Sequence, residues 1–242
     1  MPSNMIAKKY LSLVAWSLLL VACDDGRIQE NAISYKEGRV VKMTGVLSGL
    51  QNWPDDYSVA IAGFDGTDDY AAISKALPKN GDGPVEVVLS GISDDVTNVQ
   101  LCVLDRLRRH VMTFQQIELE STRDTIYMEV GTVNASMYNA IQQSFFNTTC
   151  ANCHGASNRA AAGLYLTEGK SYDALVGQPS KKVPDINMVE PDDASNSLLH
   201  IVLHQERVEG ISMTHRDLVS EKSDQSILPL IDSWINHGAK EK

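Results

Sequence analysis

From about residue 40 to residue 130, apolar and polar residues alternate over short stretches: Val40-Val41-Lys42-Met43 leading to Val46, Tyr57 to Ile61, Val85 to Leu89, Val99 to Leu104, Val111 to Leu119 and Thr125 to Val130. Between them lie turn-rich segments such as Asn52-Trp53-Pro54-Asp55-Asp56, Pro78 to Pro84 and Ser93-Asp94-Asp95. A period of two bounded by Gly, Pro and Asp predicts six or seven strands and a small antiparallel sandwich over residues 35–133. At Asn134 the period lengthens. Met137, Ile141 and Phe145 recur every four residues, flanked by Tyr138 and Phe146, with Asn134 or Ser136 available as helix cap. A last helix carries Leu228, Ile231, Trp234 and Ile235, with Asp224 or Ser226 as cap, Pro229 in its first turn and Gly238 beyond its end. Residues 134–242 therefore read as an all-α body following an all-β one.

The first residues follow a different rule. Lys8 and Lys9 precede an apolar run from Tyr10 to Val21, and Asp24 and Asp25 follow directly. A spanning helix needs about 20 apolar residues, so this run reads as an export signal, residues 1–22, rather than a membrane anchor. Its end, Leu20-Val21-Ala22-Cys23, resembles the lipobox of bacterial lipoproteins. That resemblance implies cleavage before Cys23, a lipidated thiol, a tether over residues 23–34, and a protein held to a membrane on its periplasmic or cell-surface side. Diacylglycerol with a further acyl chain gives the two signals that stable anchoring requires.

Composition narrows the partners. With 31 Asp+Glu against 21 Lys+Arg the chain carries a formal charge of −10, which leaves no source for the phosphate neutralisation that drives nucleic-acid binding. A basic-surfaced protein suits it better. Asp55, Asp56, Asp65, Asp68 and Asp69 do not follow the calcium-loop spacing and read as solvated turns. Cys102 alternates with Leu101 and Val103 and reads as a buried, inert thiol.

Chemistry concentrates between the two helices, in Cys150-Ala151-Asn152-Cys153-His154, the C-x-x-C-H arrangement of c-type haem attachment. Two thiols at this spacing add to the two vinyl groups of one haem, and the adjoining imidazole becomes the proximal iron ligand. A redox dithiol expects a βαβ context and a structural zinc site expects a second Cys pair; neither is present in the sequence. Haem c is the expected cofactor.

Residues 134–242 also resemble small bacterial cytochrome c domains in Gly155 after the histidine, Gly163-Leu164, Tyr172 to Val176, Pro191 to Leu199 and the ending Leu230 to Ala239. The resemblance implies an all-α cytochrome c-type domain in which Phe145 or Phe146 packs near Trp234. It also implies a distal methionine before the last helix, the position of Met213, although Thr214 stands where the family usually has proline. His200, His204 and His215 are the nitrogen alternatives, and Met188 reads as packing. His200 and His204, at i and i+4, otherwise read as polar positions of one amphipathic helix, and His237 as a helix-end residue. The strand spacing of residues 35–133 is similar to that of immunoglobulin-like sandwiches.

The function these features imply is single-electron transfer by a membrane-anchored monohaem cytochrome c, an electron carrier rather than an enzyme, serving redox partner proteins. A haem sensor or peroxidase-like enzyme with an open iron, and a lipoprotein whose sandwich binds a glycan or partner, are the alternatives.

Overall fold

The computed structural model describes residues 38–67, 69–120, 124–155, 159–222 and 226–242. Cys23 and the export signal lie outside the described residues, as do Asp68 and Asp224. Strand β1 (Arg39–Ser48) shows the period of two plainly: Val41, Met43 and Leu47 are buried, while Lys42 reaches outward to Glu86 at 2.9 Å. It is followed by β2 (Tyr57–Phe64), β3 (Ile73–Ala76), β4 (Gly83–Ile92), β5 (Asn98–Asp105), β6 (His110–Glu118) and β7 (Ile126–Asn134).

These strands form two sheets, ordered β4-β1-β7 and β3-β2-β5-β6. β1 pairs antiparallel with β4 and parallel with β7; the second sheet is antiparallel throughout. Inward residues of both sheets, among them Met43, Ile61, Leu101 and Met128, share one core. On the other face of the second sheet Ala60, Ala62, Phe64, Ala71, Cys102 and Leu104 make a smaller cluster, so β2 is buried on both sides.

The amino-terminal β region agrees with the alternation. A wholly antiparallel sandwich does not: β1–β4, β2–β3, β2–β5 and β5–β6 are antiparallel, but β1 and β7 run parallel. The parallel β1–β7 pair is the physical difference, because it draws the last strand onto the first.

A second correction concerns the other half. No all-α cytochrome c domain is present among the described residues. Its helices are short: α1 (Met137–Ile141), α2 (Ala151–His154), α3 (Ser171–Leu175), α4 (Leu198–His204), α5 (Arg216–Lys222) and α6 (Ile227–Asn236). Between them the chain is largely irregular, tied by isolated bridges such as Val176 to Val189 and Asn187 to Ser197. The cause is visible in the sequence, where Gly, Pro, Asp and Ser interrupt every apolar run from residue 155 to residue 197.

Glu37–Lys242 forms one compact unit, and the strands and helices contribute to the same core. Trp53 donates its indole N–H to the Ala135 carbonyl at 2.8 Å, fixing the turn after β1 to the start of the helical part. Gly49 sits opposite, at φ +81°, where a Cβ would strike the backbone of Ser136. On the helical side Tyr138 stands between Phe146 and Trp234, its ring centroid 6.4 Å from the first and 5.3 Å from the second. Tyr138 therefore makes the ring contact with Trp234 that Phe145 or Phe146 was expected to make.

Candidate functional site

One helical rod brings the cysteines to their place. Ser136 caps it, its hydroxyl accepting from the Asn139 N–H, while the Asn134 side chain accepts from the Ser136 N–H. After α1 the helix widens into a π-helix, Gln142–Cys150, before α2 resumes at Ala151. The residue types explain the widening. Ser144 and Thr148 turn their hydroxyls back onto the carbonyls of Ala140 (2.6 Å) and Ser144 (2.7 Å), competing with the main-chain ladder. Phe145 and Phe146 are meanwhile both buried, and π-segments of this kind occur often at functional sites.

Cys150 is half-buried against the core and Cys153 is exposed; both are free thiols. Burial, with Cys153 adding to it, pushes the Cys150 thiol up to about 12. Thiolate reactivity rises with a lowered pKa, the opposite of the direction burial gives Cys150. Immediately beyond, a Cβ at Gly155 would overlap the Ala151 carbonyl, which reserves this position for glycine and lets the chain turn away after His154.

His154 is oriented by main-chain carbonyls. Its Nδ1 lies 3.1 Å from the Ala161 oxygen and 3.3 Å from that of Leu164, and its own carbonyl accepts from the Leu166 N–H at 2.9 Å. An imidazole that donates from Nδ1 presents Nε2 to a metal, the usual arrangement of a ligating histidine. Facing it is His215. The two rings lie 6.3 Å apart between centroids with 24° between their planes, and His215 likewise turns Nδ1 to a carbonyl, that of Met213, at 3.0 Å. Burial lowers the pKa of His215, the nearby His154 adds to the effect, and the bond to Met213 opposes it. Met213 itself is 48% exposed.

The chain matches no family model, no curated protein and no solved structure. Its chemistry therefore has to be read from its own residues.

The donor set suits a haem. Two thiols at the attachment spacing end on an imidazole whose Nε2 is left for iron. His215 brings a second imidazole to within 6.3 Å of His154, ring centre to ring centre, so this side of the protein holds two nitrogen donors near the cysteine pair.

The other residues singled out in the sequence lie elsewhere. Asp55 pairs with Lys79 at 2.6 Å, Asp56 with Arg106 at 3.2 Å and Asp69 with Arg109 at 3.5 Å, while Asp65 caps a turn at Thr67, so these carboxylates do not converge on a cation. Met188 is half-buried against the core, and His237 bonds the Ser233 carbonyl. His200 and His204, expected as polar positions of an amphipathic helix, both meet Asp232. From the sequence Met213 is the expected distal residue and His215 one nitrogen alternative among three; no local signal in the sequence places His215 beside His154.

Proposed function

We propose that the protein is a c-type haem protein that transfers single electrons. Cys150 and Cys153 hold the haem through thioethers, and His154 is the proximal ligand. Bound there, haem c supplies a one-electron couple near the protein surface. The Ala161 and Leu164 carbonyls keep the His154 ring in one tautomer and orientation, and the segment around Met213 and His215 supplies the distal ligand. The parallel approach of His215 to His154 is the observation that favours His215 over Met213 in that role. If both histidines ligated the iron, no position would remain for substrate, which is the ground for preferring electron transfer to sensing or peroxidase chemistry.

The lipobox-like segment ending at Cys23 supports a membrane-tethered protein on the periplasmic or cell-surface side. A redox partner with a basic surface is the counterpart of the −10 charge.

The deciding experiment is expression of the full chain with a haem-attachment system, followed by haem staining after denaturing electrophoresis. Covalent haem in the wild type and its loss in Cys150→Ala/Cys153→Ala is the expected result. A wild-type chain without covalent haem overturns the proposal, and carbon monoxide binding by the reduced wild type moves the reading to an open-iron sensor or enzyme.

A further inference from the structure

A second group of ligating side chains lies on α4 and α6. His200 and His204 are one turn apart on α4, so their rings project from the same face, with centroids 4.1 Å apart. Asp232, on α6, reaches both: Oδ1 lies 2.7 Å from His200 Nδ1 and Oδ2 lies 3.1 Å from His204 Nε2. One ligating atom from each residue falls within 4.8 Å of the others. His200 and Asp232 are partly buried, at 27% and 24% exposure, while His204 is exposed, at 36%, which leaves a route for an ion.

We infer that His200, His204 and Asp232 bind a divalent transition-metal ion of the zinc type. Two neutral imidazoles and one carboxylate suit a borderline cation, whereas calcium and magnesium prefer oxygen ligands throughout. Three protein ligands leave one tetrahedral position for water. The Leu198, Leu199 and Leu203 side chains bury the opposite side of α4, and Ile231 and Ile235 anchor α6, so the ligands are carried by elements already fixed in the core. Without metal the carboxylate accepts from both imidazoles, a clasp that holds the ligands near one another before the ion arrives. The bound ion then cross-links the two helices that flank the segment 205–226, which carries Met213 and His215. The site does not depend on haem.

Zinc titrated calorimetrically into the full chain tests the assignment, both with haem attached and as Cys150→Ala/Cys153→Ala, in which the cysteine motif cannot capture the ion. One equivalent should bind in each, and zinc should raise the thermal midpoint. His200→Ala and His204→Ala should each weaken binding by roughly 100-fold or more, at or beyond what loss of an outer-shell partner costs. If His200→Ala does not fold, His204→Gln, whose amide still donates to Asp232, carries the same comparison. No zinc binding by the Cys150→Ala/Cys153→Ala chain, or binding unchanged by these histidine substitutions, overturns the inference. A chain that takes no haem yet binds zinc here overturns only the haem proposal.

Discussion

His215 lies across from His154 with its ring nearly parallel, 6.3 Å between centroids, and each ring gives its Nδ1 to a main-chain carbonyl. The two residues come from different parts of the chain, one ending the helical rod and the other preceding α5. Nothing in their local sequence demands that they meet. Each ring is held at Nδ1, so a metal, if one binds as proposed, would be met by Nε2.

The first prediction separates the two distal candidates. In the haem-loaded protein, His215→Ala should change the visible spectrum and let the reduced iron bind carbon monoxide, while Met213→Ala should leave both properties as in the wild type. The reverse pattern, with a thioether-to-iron charge-transfer band lost in Met213→Ala, would assign the ligand to Met213.

Trp234 is buried beside Tyr138 and donates its indole N–H to the Lys240 carbonyl at 2.8 Å. Trp234→Ala leaves a cavity at the centre of the helical half. Its cost should be about 3–5 kcal/mol, read as a lower urea midpoint with an unchanged slope.

At Gly49 the φ of +81° and the approach of Ser136 act together. Gly49→Ala should destabilise by roughly 2 kcal/mol or more, since left-handed backbone strain alone is worth about 1–3 kcal/mol. Ser136→Ala, which removes the cap and the hydroxyl bond to the Glu241 carbonyl, should cost about 1 kcal/mol. Thermal midpoints of the two variants give the comparison.

Alkaline unfolding should report on Tyr138. Burial pushes its phenol up to about 12, and its hydroxyl meets Ser171 at 2.5 Å and Gln142 at 3.2 Å. A group whose pKa is raised on folding contributes stability that is complete below its unfolded value, near 10, and is lost as pH rises through its folded value. Denaturant midpoints should therefore fall from about pH 10 to pH 12. Tyr138→Phe should flatten part of that fall; an unchanged slope would place the titration elsewhere, for instance at Tyr57, which burial also holds at about 12.

Cys102 should be silent in the native protein. It is fully buried, and burial raises its thiol to about 12. A thiol reagent at pH 8 should label it only after denaturation, whereas rapid native labelling would mean that the cluster with Phe64 and Leu104 opens readily.

Much of the β region was legible because its strands bury alternate residues. Val41, Met43 and Leu47 announce themselves by period, whereas β5 buries Cys102 and Leu104 as well as Val99, Leu101 and Val103 and reads as an apolar run. β3 escaped because Ile73–Ala76 is short, lies at a sheet edge and buries none of its residues fully. Strand order was beyond reach, since the parallel pairing of β1 with β7 depends on residues far apart in the chain. The Ser136 cap and the terminal helix were readable from local chemistry. The resemblance to cytochrome c domains misjudged the architecture: its short motifs are present, but the segments between them form turns and bridges rather than long helices. For the site, the cysteine motif was plain in the sequence. The approach of His215 and the meeting of His200, His204 and Asp232 were not, because each joins separate elements.

The place of β1 also bears on the order in which the protein assembles. The earliest strand of the described region lies in the middle of its sheet and gains its parallel neighbour only when β7 exists. Such non-local pairing is slow, because a long stretch of chain must be closed before the contact is rewarded. β7 leads through Ala135 and Ser136 directly into the rod that ends in Cys150, Cys153 and His154. Completion of the sheet and burial of that rod are therefore late and coupled events. Until they occur the two thiols belong to an open chain, and the attachment proposed above would fall in that interval.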